Sequence, residues 1–248
     1  MKDLEADVAE TALRRDLAAV FRLVARAGWH EGVANHLSAA VSPSGRRFLI
    51  NPRWRHFSRI SASDLLLLDA DDADVMARPD APDPSAWSIH SALHAHVPQA
   101  RVALHLHPPY ATALASLKDP RILPIDQTTA RFYNRLAYDL DFGGIAHDMD
   151  EGARIAASVG THGAVMMQNH GVTVFGASVA EAWDALYHLE RAARTMVLAY
   201  QTGQPLAVMP DDLAEATAAG WEVYKDAEVA HFEEMKAILD REAPDYAE

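Results

Sequence analysis

Apolar residues recur at helical spacing over residues 8–27 (VAETALRRDLAAVFRLVARA), which predicts a first helix closed by Gly28. Strand-like runs follow at 37–41 and 47–50, separated by the turn residues Ser42-Pro43-Ser44-Gly45. Another is expected at 65–68, after the capped turn Ser61-Ala62-Ser63-Asp64. Asp, Pro and Ala dominate 71–86, which reads as a surface loop. The pattern then predicts a helix from 85 to about 97, a strand over 101–106 and a helix from Pro109 to about 117. Residues 119–147 carry Pro120, Pro124, Gly143 and Gly144 and are expected to be irregular. A helix over 148–159 and strands over 163–167 and 172–175 come next. Ser178 caps a long helix to about 200, with Glu181 at the fourth position of a capping box and Leu186, Leu189, Ala193, Met196 and Val197 as its core stripe. A last helix is predicted from about 211 to 240.

The strands come mainly as neighbours, without strict alternation with helices. That order favours an α/β fold with a central mixed or antiparallel sheet flanked by helices over a Rossmann fold. No boundary divides the 248 residues, so 1–248 read as a single domain with a C-terminal helical extension from about 205. Half the residues are hydrophobic, as in ordinary globular chains. With no cysteine, neither disulfides nor thiolate metal ligation is available. A net charge of -13 repels a phosphate backbone and argues against nucleic-acid binding. The acidic Met1-Lys2-Asp3-Leu4-Glu5 start lacks the apolar region of a signal peptide, and no apolar run reaches membrane-spanning length. A cytoplasmic protein without membrane contact is expected.

The candidate chemistry lies at two strand ends. In Leu104-His105-Leu106-His107-Pro108-Pro109, residues two apart share a strand face, so His105 and His107 present two imidazoles together where Pro108 stops the strand. In Gln168-Asn169-His170-Gly171 a third histidine ends another apolar run, and Gly171 is expected to allow a sharp reversal. Three neutral imidazoles with an open fourth position form the ligand set of a catalytic divalent metal: zinc, manganese or iron.

The segments RVALHLHPPYATALASL, MMQNHGVTVFGASVAEAWDALYHLERAARTMVLA and GWHEGVANHLSAAV, with FLINP and SASDLLLLD, resemble the class II aldolase/adducin family in order from about residue 15 to about 200. The resemblance implies an αβα sandwich around a nine-stranded type of sheet, a homotetramer with the active site between subunits, and one divalent metal ion. Two departures mark the branch. Sugar-phosphate members carry an acid/base glutamate where this chain has Ala86, within Pro84-Ser85-Ala86-Trp87. Their glycine-containing phosphate turns correspond here to Asn35-His36-Leu37-Ser38 and Asn51-Pro52-Arg53-Trp54, and both glycines are gone. Glycine lets backbone N–H groups approach a phosphate closely, whereas a guanidinium suits a carboxylate. The expected substrate is therefore a small anionic hydroxy or oxo carboxylate, including an aromatic one, not a sugar phosphate.

Lacking the glutamate, decarboxylation is expected over aldol cleavage, because it needs an electron sink and a proton donor but no base for a hydroxyl. The alternatives are a non-haem iron oxygenase on the same fold, an aldolase or epimerase, and a non-catalytic adducin-like assembly module. His36, Asn51, Arg53 and Ser85 are the candidate substrate-binding residues, with Arg53 as carboxylate anchor. Tyr133, reaching a neighbouring subunit's site, and Asp126 are the candidate catalytic residues. His90 and His94 share one helix face, and a packing or surface role is expected of them.

Overall fold

The structure, a computed structural model, describes residues 2–144 and 149–248. Helix α1 (Lys2–Ala27) ends where predicted, with Gly28 at φ 71°. Strands β1 (His36–Ala40) and β2 (Arg47–Ile50) pair antiparallel across the expected turn, and β3 (Leu66–Asp69) adds to β2. Helix α2 (Pro84–His96) is capped by Asp83, whose carboxylate accepts from Ser85 N–H. Strand β4 (Val102–Leu106) stops at the prolines, and Pro109 opens α3 (Pro109–Ala115). After residue 148 come α5 (Met149–Val159), β6 (Ala164–Met167), β7 (Val172–Gly176) and the long α6 (Val179–Gln201), with Ser178 as its cap. The predicted start of α5 at Asp148 lies outside the described residues.

Two stretches differ from expectation. Residues 119–147, expected to be irregular, contain α4 (Gln127–Ala130) and β5 (Leu136–Asp139), whose pairing with β6 is the only parallel one among the described residues. Strand β5 is four residues long, and its role depends on its neighbour rather than on its own pattern. The single helix predicted for 211–240 is α7 (Asp211–Trp221) and α8 (Lys225–Glu242), separated by a turn of 3-10 helix at Glu222–Tyr224.

Among the described residues the strands form one seven-stranded mixed sheet in the order β3-β2-β1-β4-β7-β6-β5, fewer than the nine-stranded type that the resemblance implied. Side chains alternate across it. Leu37, Ala39, Val102, Leu104, Leu106, Met166, Val172 and Val174 point into a core shared with α1, α3, α6 and α8. Ala103, Val165, Met167 and Phe175 point to the opposite face, where α2 and α5 pack. The result is an αβα sandwich. Phe232 and Leu239 of α8 join the larger core, and so do Leu186, Leu189, Ala193 and Met196 of the predicted α6 stripe. No helix of the described residues is long and apolar enough to cross a membrane.

Candidate metal centre and adjoining cavity

His105 lies near the end of β4, opposite His36 of β1 and Thr173 of β7. The alternation that sends Leu104 and Leu106 into the larger core turns His105 to the α2 face. His107 follows just beyond the strand, and His170 stands in the tight turn between β6 and β7. One ligand atom from each of His105, His107 and His170 lies within 4.8 Å of the others, so the three could hold a metal ion. The turn reaches this geometry differently than expected. Asn169 carries the left-handed backbone, at φ 57°, whereas Gly171 is needed for space. A Cβ on Gly171 would come within 2.4 Å of His107 Cδ2 and 2.6 Å of the Leu106 carbonyl.

The histidines are oriented by their outer nitrogens. His107 Nδ1–H donates to Glu31 Oε2 at 2.6 Å, while its Nε2 is buried with no hydrogen-bond partner. His105 Nδ1 meets Thr173 Oγ1 at 3.1 Å. This is the arrangement metal-binding imidazoles usually have, with the far nitrogen bound to a carboxylate or hydroxyl. Burial, with the neighbouring His107, lowers the His170 pKa to about 4, and burial pushes that of His105 well below the ordinary value. Both are neutral at pH 7, the state in which an imidazole nitrogen ligates. An orphaned buried nitrogen and neutral donors fit a divalent ion. Glu31, absent from the candidates drawn from the sequence, stood within GWHEGVANHLSAAV. A carboxylate in a segment that carries the resemblance was the available clue.

A cavity of about 410 Å³ adjoins the triad, lined by Asn35, His36, Asn51, Arg53, Trp54, Asp83, Ser85 and Ala86 among others. His36 connects cavity and triad, its ring stacked on His105 with centroids 4.8 Å apart. Asn51 Oδ1 accepts from Leu37 N–H and its Nδ2 donates to the Asn35 carbonyl, so this side chain ties the two cavity turns together. Asn35 in turn accepts from Glu31 N–H, which links the cavity wall to the carboxylate behind His107. The two turns in which the resemblance implied glycine hold the backbone that glycine favours, with Asn35 at φ 76° and Trp54 at φ 64°.

Arg53 is half-exposed, lies over the Trp54 ring and sits 3.6 Å from Asp83 Oδ2. Ser85 Oγ lies 2.7 Å from Asp83 Oδ1 and 3.3 Å from His36 Nε2. Burial works upward on Asp83, but the hydrogen bonds from Ser85, with His36 and Arg53, outweigh it and hold this carboxyl below the usual range. Asp126 caps α4, accepting from Thr129 N–H, and Tyr133 has its pKa raised by Asp211 at the start of α7, so neither belongs to the triad or cavity within the chain. Behind His36, His90 and His94 take the packing role of the two expected for them, and the sequence did not show that they are also hydrogen-bonded to His36 and Ser38.

Comparison with known proteins agrees with this architecture. The family model "Class II Aldolase and Adducin N-terminal domain" matches residues 15–197. A "Putative aldolase class 2 protein" of Caulobacter vibrioides is 34% identical over 207 residues, covering 84% of this chain and 80% of the relative. The crystal structure of an aldolase II superfamily protein from Pseudomonas syringae superposes with a TM-score of 0.86 at 30% identity, covering 96% of both chains. "Decarboxylase NovR" of Streptomyces niveus is 27% identical over 218 residues, 84% of this chain and 79% of that one. The chain belongs to the class II aldolase and adducin family.

Proposed function

We propose that the protein is a metal-dependent lyase that decarboxylates a small anionic hydroxy or oxo carboxylate, with His105, His107 and His170 as metal ligands. The carrying observation is the histidine triad with its orphaned His107 Nε2, beside a cavity whose wall includes Ala86. A divalent ion held there supplies Lewis-acid stabilisation of the negative charge that develops when a carbon–carbon bond breaks. Three neutral ligands leave the full positive charge to attract an anion. Ala86 offers no proton acceptor, and Asp83, already committed to Ser85 and the α2 cap, is a weak base. Glu31 is engaged by His107. These features favour decarboxylation over aldol cleavage, which has to deprotonate a hydroxyl. The likeness to a relative named as a decarboxylase supports the same choice. Arg53, Asn51 and Ser85, which line the cavity, are proposed to orient the substrate.

The site is proposed to lie between subunits of a homotetramer, and the whole chain to act as one domain in the cytoplasm. Exposed Leu140 and Phe142 support an interface here, since the Phe142 ring lies 6.0 Å from that of His170. A partner could cover this apolar surface and bring its own Tyr133. Metal analysis of the purified protein, with carbon dioxide release measured over a panel of hydroxy and oxo carboxylates, tests the proposal. Metal and turnover are both expected to vanish in His170→Ala. Undiminished turnover after exhaustive chelation, or no metal bound on reconstitution, would refute it and favour an assembly module.

A further inference from the structure

Between α2 and the sheet runs an unbroken hydrogen-bonded chain of side chains, and its direction can be deduced from one end. His94 Nδ1 lies 2.8 Å from the Ala100 carbonyl. A carbonyl only accepts, so Nδ1 carries a proton. His94 is neutral, its pKa lowered to about 4 by burial, so its Nε2 is bare and accepts from the Ser38 hydroxyl at 2.7 Å. Having given its single proton, Ser38 Oγ must accept from His90 Nδ1–H, 2.5 Å away. His90 Nε2 is then bare and accepts from His36 Nδ1–H at 2.9 Å. At the far end, His36 Nε2 carries no proton and faces the cavity beside Ser85. The one Ser85 hydroxyl proton goes to the ionised Asp83 at 2.7 Å, not to this nitrogen at 3.3 Å. Each other polar atom in the chain has its partner, so reversing any link would leave two donors or two acceptors facing each other in a buried site.

We propose that His36 is locked as the Nδ1–H tautomer, so that its bare Nε2 accepts a hydrogen bond from a hydroxyl on the ligand in the cavity and selects hydroxy carboxylates over analogues that lack the O–H. His90, Ser38 and His94 act through it as positioning residues. The ligand class rests on the lyase reading above; the tautomer does not.

Long-range ¹H–¹⁵N correlation spectra of the imidazoles, recorded on zinc-loaded and metal-free protein, test the lock directly. The expected spectrum shows His36 and His90 protonated at Nδ1 with bare Nε2; an Nε2–H His36 would overturn the proposal. In Ser38→Ala, His90 is free to take its other tautomer, and His36 is expected to shift toward Nε2–H, while Ser38→Thr restores the original pattern. An unchanged His36 spectrum in Ser38→Ala would remove the positioning role. Calorimetric titration of zinc-loaded protein with glycolate and with methoxyacetate tests the ligand class. Glycolate is expected to bind roughly tenfold more tightly, with the ratio falling at least severalfold in His36→Phe. A ratio unaltered by His36→Phe would overturn the selection. Binding of neither acid would count against the lyase reading and the ligand class, and leave the tautomer to stand on its spectrum.

Discussion

At the scale of single residues, the site depends on a few atoms that have no alternative. Gly171 is one. Its Cβ-less face lets the β6–β7 turn close on His107, and an added methyl would meet that ring and the Leu106 carbonyl. Gly171→Ala is expected to weaken zinc binding by roughly 10–100-fold, the range seen when groups supporting a metal ligand are disturbed. Competition with a chromogenic chelator measures this, and wild-type affinity would show that the turn yields without moving His107. His94 makes a pH prediction. Burial lowers its pKa to about 4, so the unfolded chain binds more protons than the folded one between about 4 and the ordinary histidine value near 6.5. Its contribution to stability is full above 6.5 and is lost as pH falls toward 4. Urea midpoints measured across that window are expected to drop on acidification, with a shallower drop in His94→Gln.

At the scale of elements, the site is assembled where secondary structures end. Glu190 of α6 shows how one holds another. Its Oε1 accepts from Tyr110 N–H and its Oε2 from Ala111 N–H, meeting the free donors of the α3 N-terminus two residues beyond His107-Pro108. Burial raises its pKa to about 7 against the opposing pull of those bonds. Its linkage runs opposite to that of His94: stability from this group is present at low pH and lost as pH rises through about 7. Glu190→Ala is expected to cost about 1–3 kcal/mol in denaturant unfolding by leaving two buried donors unsatisfied, with Glu190→Gln, which keeps one acceptor, losing less. Equal losses in the two variants would indicate packing as the cause.

At the scale of the whole molecule, the triad joins the β4 end to the β6–β7 turn, segments more than sixty residues apart in the chain but neighbours in the sheet. A metal held there binds the folded chain and not the unfolded one. Saturation at about 100 times the dissociation constant is therefore expected to add about 2.7 kcal/mol of stability, read as a rise in melting temperature that a chelator reverses. Stripped and reconstituted protein melting at the same temperature would indicate that no such site forms.

Much of this was legible in the chain itself. Alternating and helical apolar patterns are local properties, so α1, the β1–β2 hairpin, β4, β6, β7 and the α6 stripe could be read where they stand. His105 and His107 on one face, and His170 at another strand end, follow from strand periodicity and flanking Pro and Gly. Edge strand β5 could not be read in this way, because four residues show little pattern and its parallel partner is distant in sequence. Nor could the break between α7 and α8, or the attachment of Glu31 to His107. The burial of His90 and His94 against β1 was likewise decided only by tertiary packing, which brings α2 onto the sheet face carrying His36, Ser38 and His105. Sequence determines which side chains share a face; the register between strands and the docking of helices determine which faces meet, and hydrogen bonds between imidazoles exist only after they do.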